Sequence, residues 1–84
     1  MSAQNRIADV IASSLEAYFR DLEGQPASQV YEMVIQAVER PLLEAVMREA
    51  QGNQLRASEI LGINRNTLRK KLTAHGLLES GRQV

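Results

Sequence analysis

Between Asn64 and His75 the chain carries Arg65, Arg69, Lys70 and Lys71 and not one acid. Four unopposed cations in one short stretch make a surface for a polyanion. A short charge run on its own is more often a solvated helix face, so its setting has to decide. The run follows Gly62-Ile63-Asn64, a three-residue turn between two short amphipathic segments. Asn53 is positioned to cap the first segment, in which Ala57, Ile60 and Leu61 are expected to face inward. Asn64 is positioned to cap the second, which Leu68 and Leu72 anchor. Asn66, Thr67, Arg69, Lys70, Thr73 and Ala74 occupy the rest of its circumference. A short helix, a glycine-containing turn and a second helix form the helix-turn-helix pattern. The second helix also presents the positive end of its dipole and unbonded N–H groups, which suit a phosphate or a base edge.

Other chemistries find little support. There is no cysteine and a single histidine, His75, so neither a thiolate nor an imidazole cluster can be built, and no metal or cofactor is expected. In the last turn of a helix, His75 is expected to serve the dipole. Ser13, Ser14 and Ser28 lack a base in the sequence pattern that would activate them, and the glycines form no phosphate-cradling loop. An enzyme acting on a small-molecule substrate is not expected. Tyr18, Phe19 and Tyr31 fall on apolar stripes and are assigned to the core rather than to a stacking platform for bases.

The elements that must carry the basic segment are two longer helices. A chain of 84 residues forms one domain, 1–84. It divides into a helical body over about 5–51 and the helix-turn-helix over about 53–76. Ile7, Val10, Ile11, Ser14, Leu15, Tyr18, Phe19 and Leu22 share one face of a first helix over about 5–22. Gly24 ends it, and Pro26 and Ser28 supply the break and a cap for a second helix over about 28–51. Pro41 lies inside that second helix, where a kink rather than a break is expected because the apolar rhythm continues past it. The stripes exceed what one chain can cover, so a bundle between two chains is expected, with Ile11, Leu15, Tyr18, Val34, Val38, Leu42, Leu43 and Val46 at the interface. The fold class is therefore all-α, four helices per chain, with the two long helices intertwined in a dimer and the helix-turn-helix at the C-terminal end.

Charge is divided between the halves. Residues 1–50 hold eight acids against four bases, and residues 51–84 hold six bases against two acids, although the whole chain is formally neutral. That polarity fits an acidic body with a basic working end. No run reaches the roughly 18 apolar residues a membrane helix needs. The opening residues also lack the basic start and apolar stretch of a secretory signal. A cytoplasmic protein is expected.

These residues resemble the Fis family, the factor for inversion stimulation, and less closely the C-terminal domain of nitrogen-regulation-type activators. Gly-Asn-Gln at 52–54, Gly-Ile-Asn-Arg at 62–65 and Thr-Leu-Arg-Lys-Lys-Leu at 67–72 carry the resemblance, with Arg-Pro-Leu-Leu at 40–43 in place of the family's Gln-Pro-Leu-Leu. It extends from about residue 14 to the end of the fourth helix. It implies a homodimer that binds and bends double-stranded DNA of the nucleoid and regulates transcription, with RNA polymerase as a further candidate partner. By the same resemblance Asn64 and Arg65 reach base edges. Thr67, Arg69, Lys70 and Lys71 hold phosphates, and Asn53, Gln54 and Arg56 contact the backbone beside the turn. Leu55 stands where the family has a threonine, and Asn66 where it has a glycine. The family's invertase-activating arm, a hairpin ahead of the first helix, is not expected, because the helical rhythm is already running at Ile7. Two alternatives stay open: an operator-specific local regulator that bends DNA little, and a helical protein–protein adaptor whose basic helix only solubilises it.

Overall fold

The computed structural model describes residues 2–78 as four helices, with no strand among them: α1 (Ala3–Asp21), α2 (Val30–Glu49), α3 (Gln54–Leu61) and α4 (Arg65–Ala74). The all-α class read from the sequence is what the chain adopts.

Helix α1 starts earlier than its apolar rhythm implies. Ser2, in extended backbone, caps it by accepting from the Asn5 N–H through its side chain at 3.2 Å. Hydroxyls satisfy such orphan N–H groups well, so the cap rather than the first apolar residue fixes the start. No residue of α1 is buried. Tyr18 and Phe19 meet edge to face, with ring centroids 5.5 Å apart. Phe19 is nonetheless 49% exposed, as is most of Tyr31 on α2, so neither belongs to a core of this chain. Periodicity identified an apolar face; it did not provide a neighbour to cover it.

Helix α2 begins at Val30 and not after Ser28, because Gln29 takes a left-handed conformation at φ 55° and turns the chain one residue later than the expected cap. It continues unbroken through Pro41. Its end is closed by paired bonds from Gly52 N–H to the Met47 carbonyl at 2.9 Å and from Gln51 N–H to the Arg48 carbonyl at 3.0 Å. This arrangement satisfies two of the last carbonyls, but it requires a left-handed residue, and here that residue is Gln51 at φ 55°.

The C-terminal unit builds a core of its own. Leu43 and Ala50 from the end of α2, Ala57 of α3, Leu68 and Leu72 of α4 and Leu78 are buried, with Val46, Met47, Leu61, Ile63 and Leu77 packed against them. Leu43 is only 1% exposed, and Val46 packs on the same cluster. Leu43 is therefore closed off within this chain, whereas Val46 is only partly buried. Ile60 is a second departure, at 49% exposed. Residues advance about 100° around a helix, so the arc holding buried Ala57 and Ser58 and part-buried Leu61 leaves Ile60 about 60° outside it. Ser58 tolerates burial because its hydroxyl donates to the Leu55 carbonyl at 2.7 Å.

Candidate nucleic-acid interface

Asn53 precedes α3 in extended backbone, and its Oδ1 accepts from the Arg56 N–H at 3.0 Å. Asn64 repeats the device one helix later, accepting from the Asn66 N–H at 2.7 Å. Between them Gly62 ends α3 at φ 74°, a left-handed conformation that glycine adopts without a Cβ penalty, while Gly62 and Ile63 N–H both donate to the Ser58 carbonyl. The two short helices are thus each fixed at their starts, and the turn between them is fixed as well. Capping uses only the amide oxygens of Asn53 and Asn64, so their Nδ2 groups remain as donors.

Leu68 and Leu72 are buried under α4. Asn64, Arg65, Asn66, Thr67, Lys70, Thr73 and Ala74 are exposed, and Arg69 is half-buried. Arg56 and Gln54 lie at the start of α3, the first exposed and the second half-buried. An open cleft of about 570 Å³ runs between Gly52, Asn53 and Gln54 on one side and Arg65, Asn66 and Arg69 on the other. It gathers four of the nine residues expected to contact a nucleic acid, Asn53, Gln54, Arg65 and Arg69, at one place. Arg56, Arg65, Arg69 and Lys70 make no ion pair among the described residues.

Lys71 is placed differently. Its Nζ lies 2.8 Å from Glu39 Oε2 on α2, and His75 Nε2 lies 2.8 Å from the other oxygen of that carboxylate. The Arg40 guanidinium donates to the His75 backbone carbonyl at the end of α4, and it also approaches Glu44 at 3.6 Å. The hydrogen bond from Lys71, followed by that from His75, holds the Glu39 carboxyl below its ordinary 4.5. Lys71 therefore takes part in a contact between α2 and α4, whereas Arg65 and Arg69 face the cleft. No local pattern in the sequence marks Glu39 or Arg40 for a role. They lie more than thirty residues from these partners.

Among the described residues no group of three or more His, Cys, Asp or Glu is placed to hold a metal, and no helix is long and apolar enough to cross a membrane.

The sequence pattern of the Fis family of bacterial regulatory proteins matches residues 34–75, which span most of α2 and the whole helix-turn-helix. A Ralstonia nicotianae protein named as a Fis-like DNA-binding protein is 59% identical over 76 residues, covering 90% of this chain and 99% of the relative. A Neisseria meningitidis protein of the same name is 56% identical over 72 residues, 86% of this chain and 91% of its own length. One from Pseudomonas aeruginosa is 54% identical over 72 residues, with 69% of its length covered. With capped helices, turn and outward basic residues all falling inside the matched region, this chain belongs to the Fis family of bacterial regulatory proteins.

Proposed function

We propose that this protein binds duplex DNA as a homodimer, with α4 of each copy in the major groove. The carrying observation is α4 itself: capped, anchored by Leu68 and Leu72, and bearing Arg65, Arg69 and Lys70 with no acid among its outward residues. The names of the relatives point the same way. Asn64 and Arg65, at the start of the helix, read base edges, the Arg65 fork being suited to a guanine. Thr67, Arg69 and Lys70 hold phosphates. Asn53, Gln54 and Arg56 bind the backbone across the cleft. Lys71, already engaged by Glu39, leaves the phosphate set.

Exposed Ile7, Val10, Phe19, Tyr31, Ile35 and Leu42 support the second copy, because so much apolar surface on one small chain is unfavourable in water. The revised interface combines Ile11, Leu15, Tyr18, Val34, Val38 and Val46, all partly buried, with exposed Leu42, and drops only the buried Leu43. Two recognition helices held closer than the roughly 34 Å between successive major grooves would require curved DNA. The role is binding rather than catalysis, on nucleoid DNA in the cytoplasm, as a regulator of transcription.

A mobility-shift titration with a mixed-sequence duplex tests the reading. Retardation should weaken steeply between about 50 and 200 mM salt, as phosphate neutralisation requires. The absence of any shift at low salt and micromolar protein would overturn it. Circular permutation of a bound fragment tests the bend: mobility should vary with the position of the site.

A further inference from the structure

We propose that Glu39 is a positioning residue for the recognition helix, fixing through Lys71 and His75 the angle at which α4 meets DNA. The inference rests on the DNA-binding reading above. Three contacts converge on one end of α4. The Glu39 carboxylate spans Lys71 Nζ and His75 Nε2, each at 2.8 Å, and Arg40 donates to the terminal His75 carbonyl. Both α2 residues sit directly before Pro41, whose ring fixes its own φ and restricts the residue ahead of it.

The geometry separates two flanks of α4. At about 100° per residue, Lys71 lies some 80° to one side of the buried Leu68–Leu72 line and Arg69 about as far to the other. Arg69 and Arg65 line the cleft, and Lys71 meets α2. The His75 side chain is 8% exposed and that of Glu39 18% exposed, so the His75 side of the contact is shielded from water, where charge-assisted bonds are strongest, while the Lys71 side chain, at 39% exposed, stays partly open to solvent. Hydrophobic packing of Leu68 and Leu72 permits small rotations of a helix about its own axis. A carboxylate gripping two residues one turn apart does not. Lys71 thus acts by holding α4, although its residue type alone would place it on a phosphate.

The test uses the full chain and two duplexes: one selected by the wild-type protein from a random pool, and a scrambled duplex of the same composition. Binding is measured by fluorescence anisotropy over a range of KCl concentrations. Glu39→Gln and Lys71→Gln should each lower the affinity ratio between the duplexes roughly tenfold. The double variant should do no worse than either single one, as expected for residues in contact. Lys71→Gln should leave the salt slope unchanged, whereas Lys70→Gln should reduce it by about 0.9 per chain. Lys71→Arg, which keeps charge and donors, should retain the wild-type ratio. A merely structural contact would lower stability without changing the ratio for folded protein. A salt slope reduced by about 0.9 in Lys71→Gln, with the ratio intact, would make Lys71 a phosphate contact and overturn the proposal. So would a ratio unchanged in both variants, or variants that fail to fold, since the contact would then serve stability alone. Failure of the wild-type protein to bind either duplex would instead remove the DNA-binding reading.

Discussion

Residues 43–78 close a core of their own, while α1, equally apolar along one face, buries none of its residues. The difference comes from what each sequence supplies for its apolar face to meet. Leu43, Ala57, Leu68 and Leu72 come from three helices joined by short turns, and the small Ala57, fully buried, lets backbones approach closely. One helix carries Ile7, Val10 and Phe19, all exposed. A stripe without a facing stripe is a demand for another surface, and in the proposed dimer the second copy meets it.

Adjacent residues on α2 fall on opposite sides of this divide. Leu43 is 1% exposed and Leu42 is 47% exposed. Leu43→Asp should unfold the C-terminal unit, because an unpaired buried charge costs several kcal/mol against a total stability of about 5–15 kcal/mol. Leu42→Asp should leave that unit folded but convert the sedimenting species from two chain masses to one. If Leu42→Asp changed neither mass nor stability, the exposed stripe would not be an interface.

Within the binding surface the residues of α4 divide by role. Arg65→Ala should cost roughly 1–3 kcal/mol per half-site and flatten preference at one base position, and Lys70→Ala should weaken all sequences alike. Selection from a random duplex pool distinguishes the two. Sequence preference left intact by Arg65→Ala would move base readout to another residue.

Helix-turn-helix geometry was readable because its determinants are local. Asn53, Gly62 and Asn64 each act on residues within five positions, and all three do in the fold what their types imply. Leu68 and Leu72 were equally plain as an i, i+4 pair. Other features turned on facts outside the local pattern. Ile60 is apolar and one turn from Ala57, yet the buried arc is centred toward Ser58, whose hydroxyl hides its polarity in a bond to its own helix. The start of α2 depended on the left-handed Gln29 and not on the good capping type of Ser28. Glu39 could not have been linked to Lys71 and His75 from sequence, because ion pairs across a fold leave no spacing to read.

That same carboxylate gives the C-terminal unit a pH dependence. With its folded value lowered below 4.5, Glu39 contributes stability that is fully present above its unfolded value and is lost as pH falls through the folded one. Thermal unfolding between neutrality and about pH 3 should show a loss in the acid range that is smaller in Glu39→Gln. An identical acid profile in that variant would mean that the contact with Lys71 and His75 does not persist in solution.

The smallest effect concerns how α2 ends. Gly62 and Gly76 supply the left-handed residues after α3 and α4, but the corresponding position after α2 is Gln51 at φ 55°. A side chain in that conformation carries strain of roughly 1–2 kcal/mol, because its Cβ crowds the following carbonyl. Gln51→Gly removes the strain, but the more flexible residue also loses more entropy on folding, by about 0.4–1 kcal/mol. The net should be a stabilisation of about 0.5 kcal/mol, or a rise of roughly 2–4 °C in Tm for a domain of this size. The paired bonds from Gly52 to Met47 and from Gln51 to Arg48 use backbone groups only and should survive the change. Thermal denaturation of the variant beside wild type measures it. A lower Tm would show that the Gln51 side chain makes a contribution in solution larger than its backbone strain.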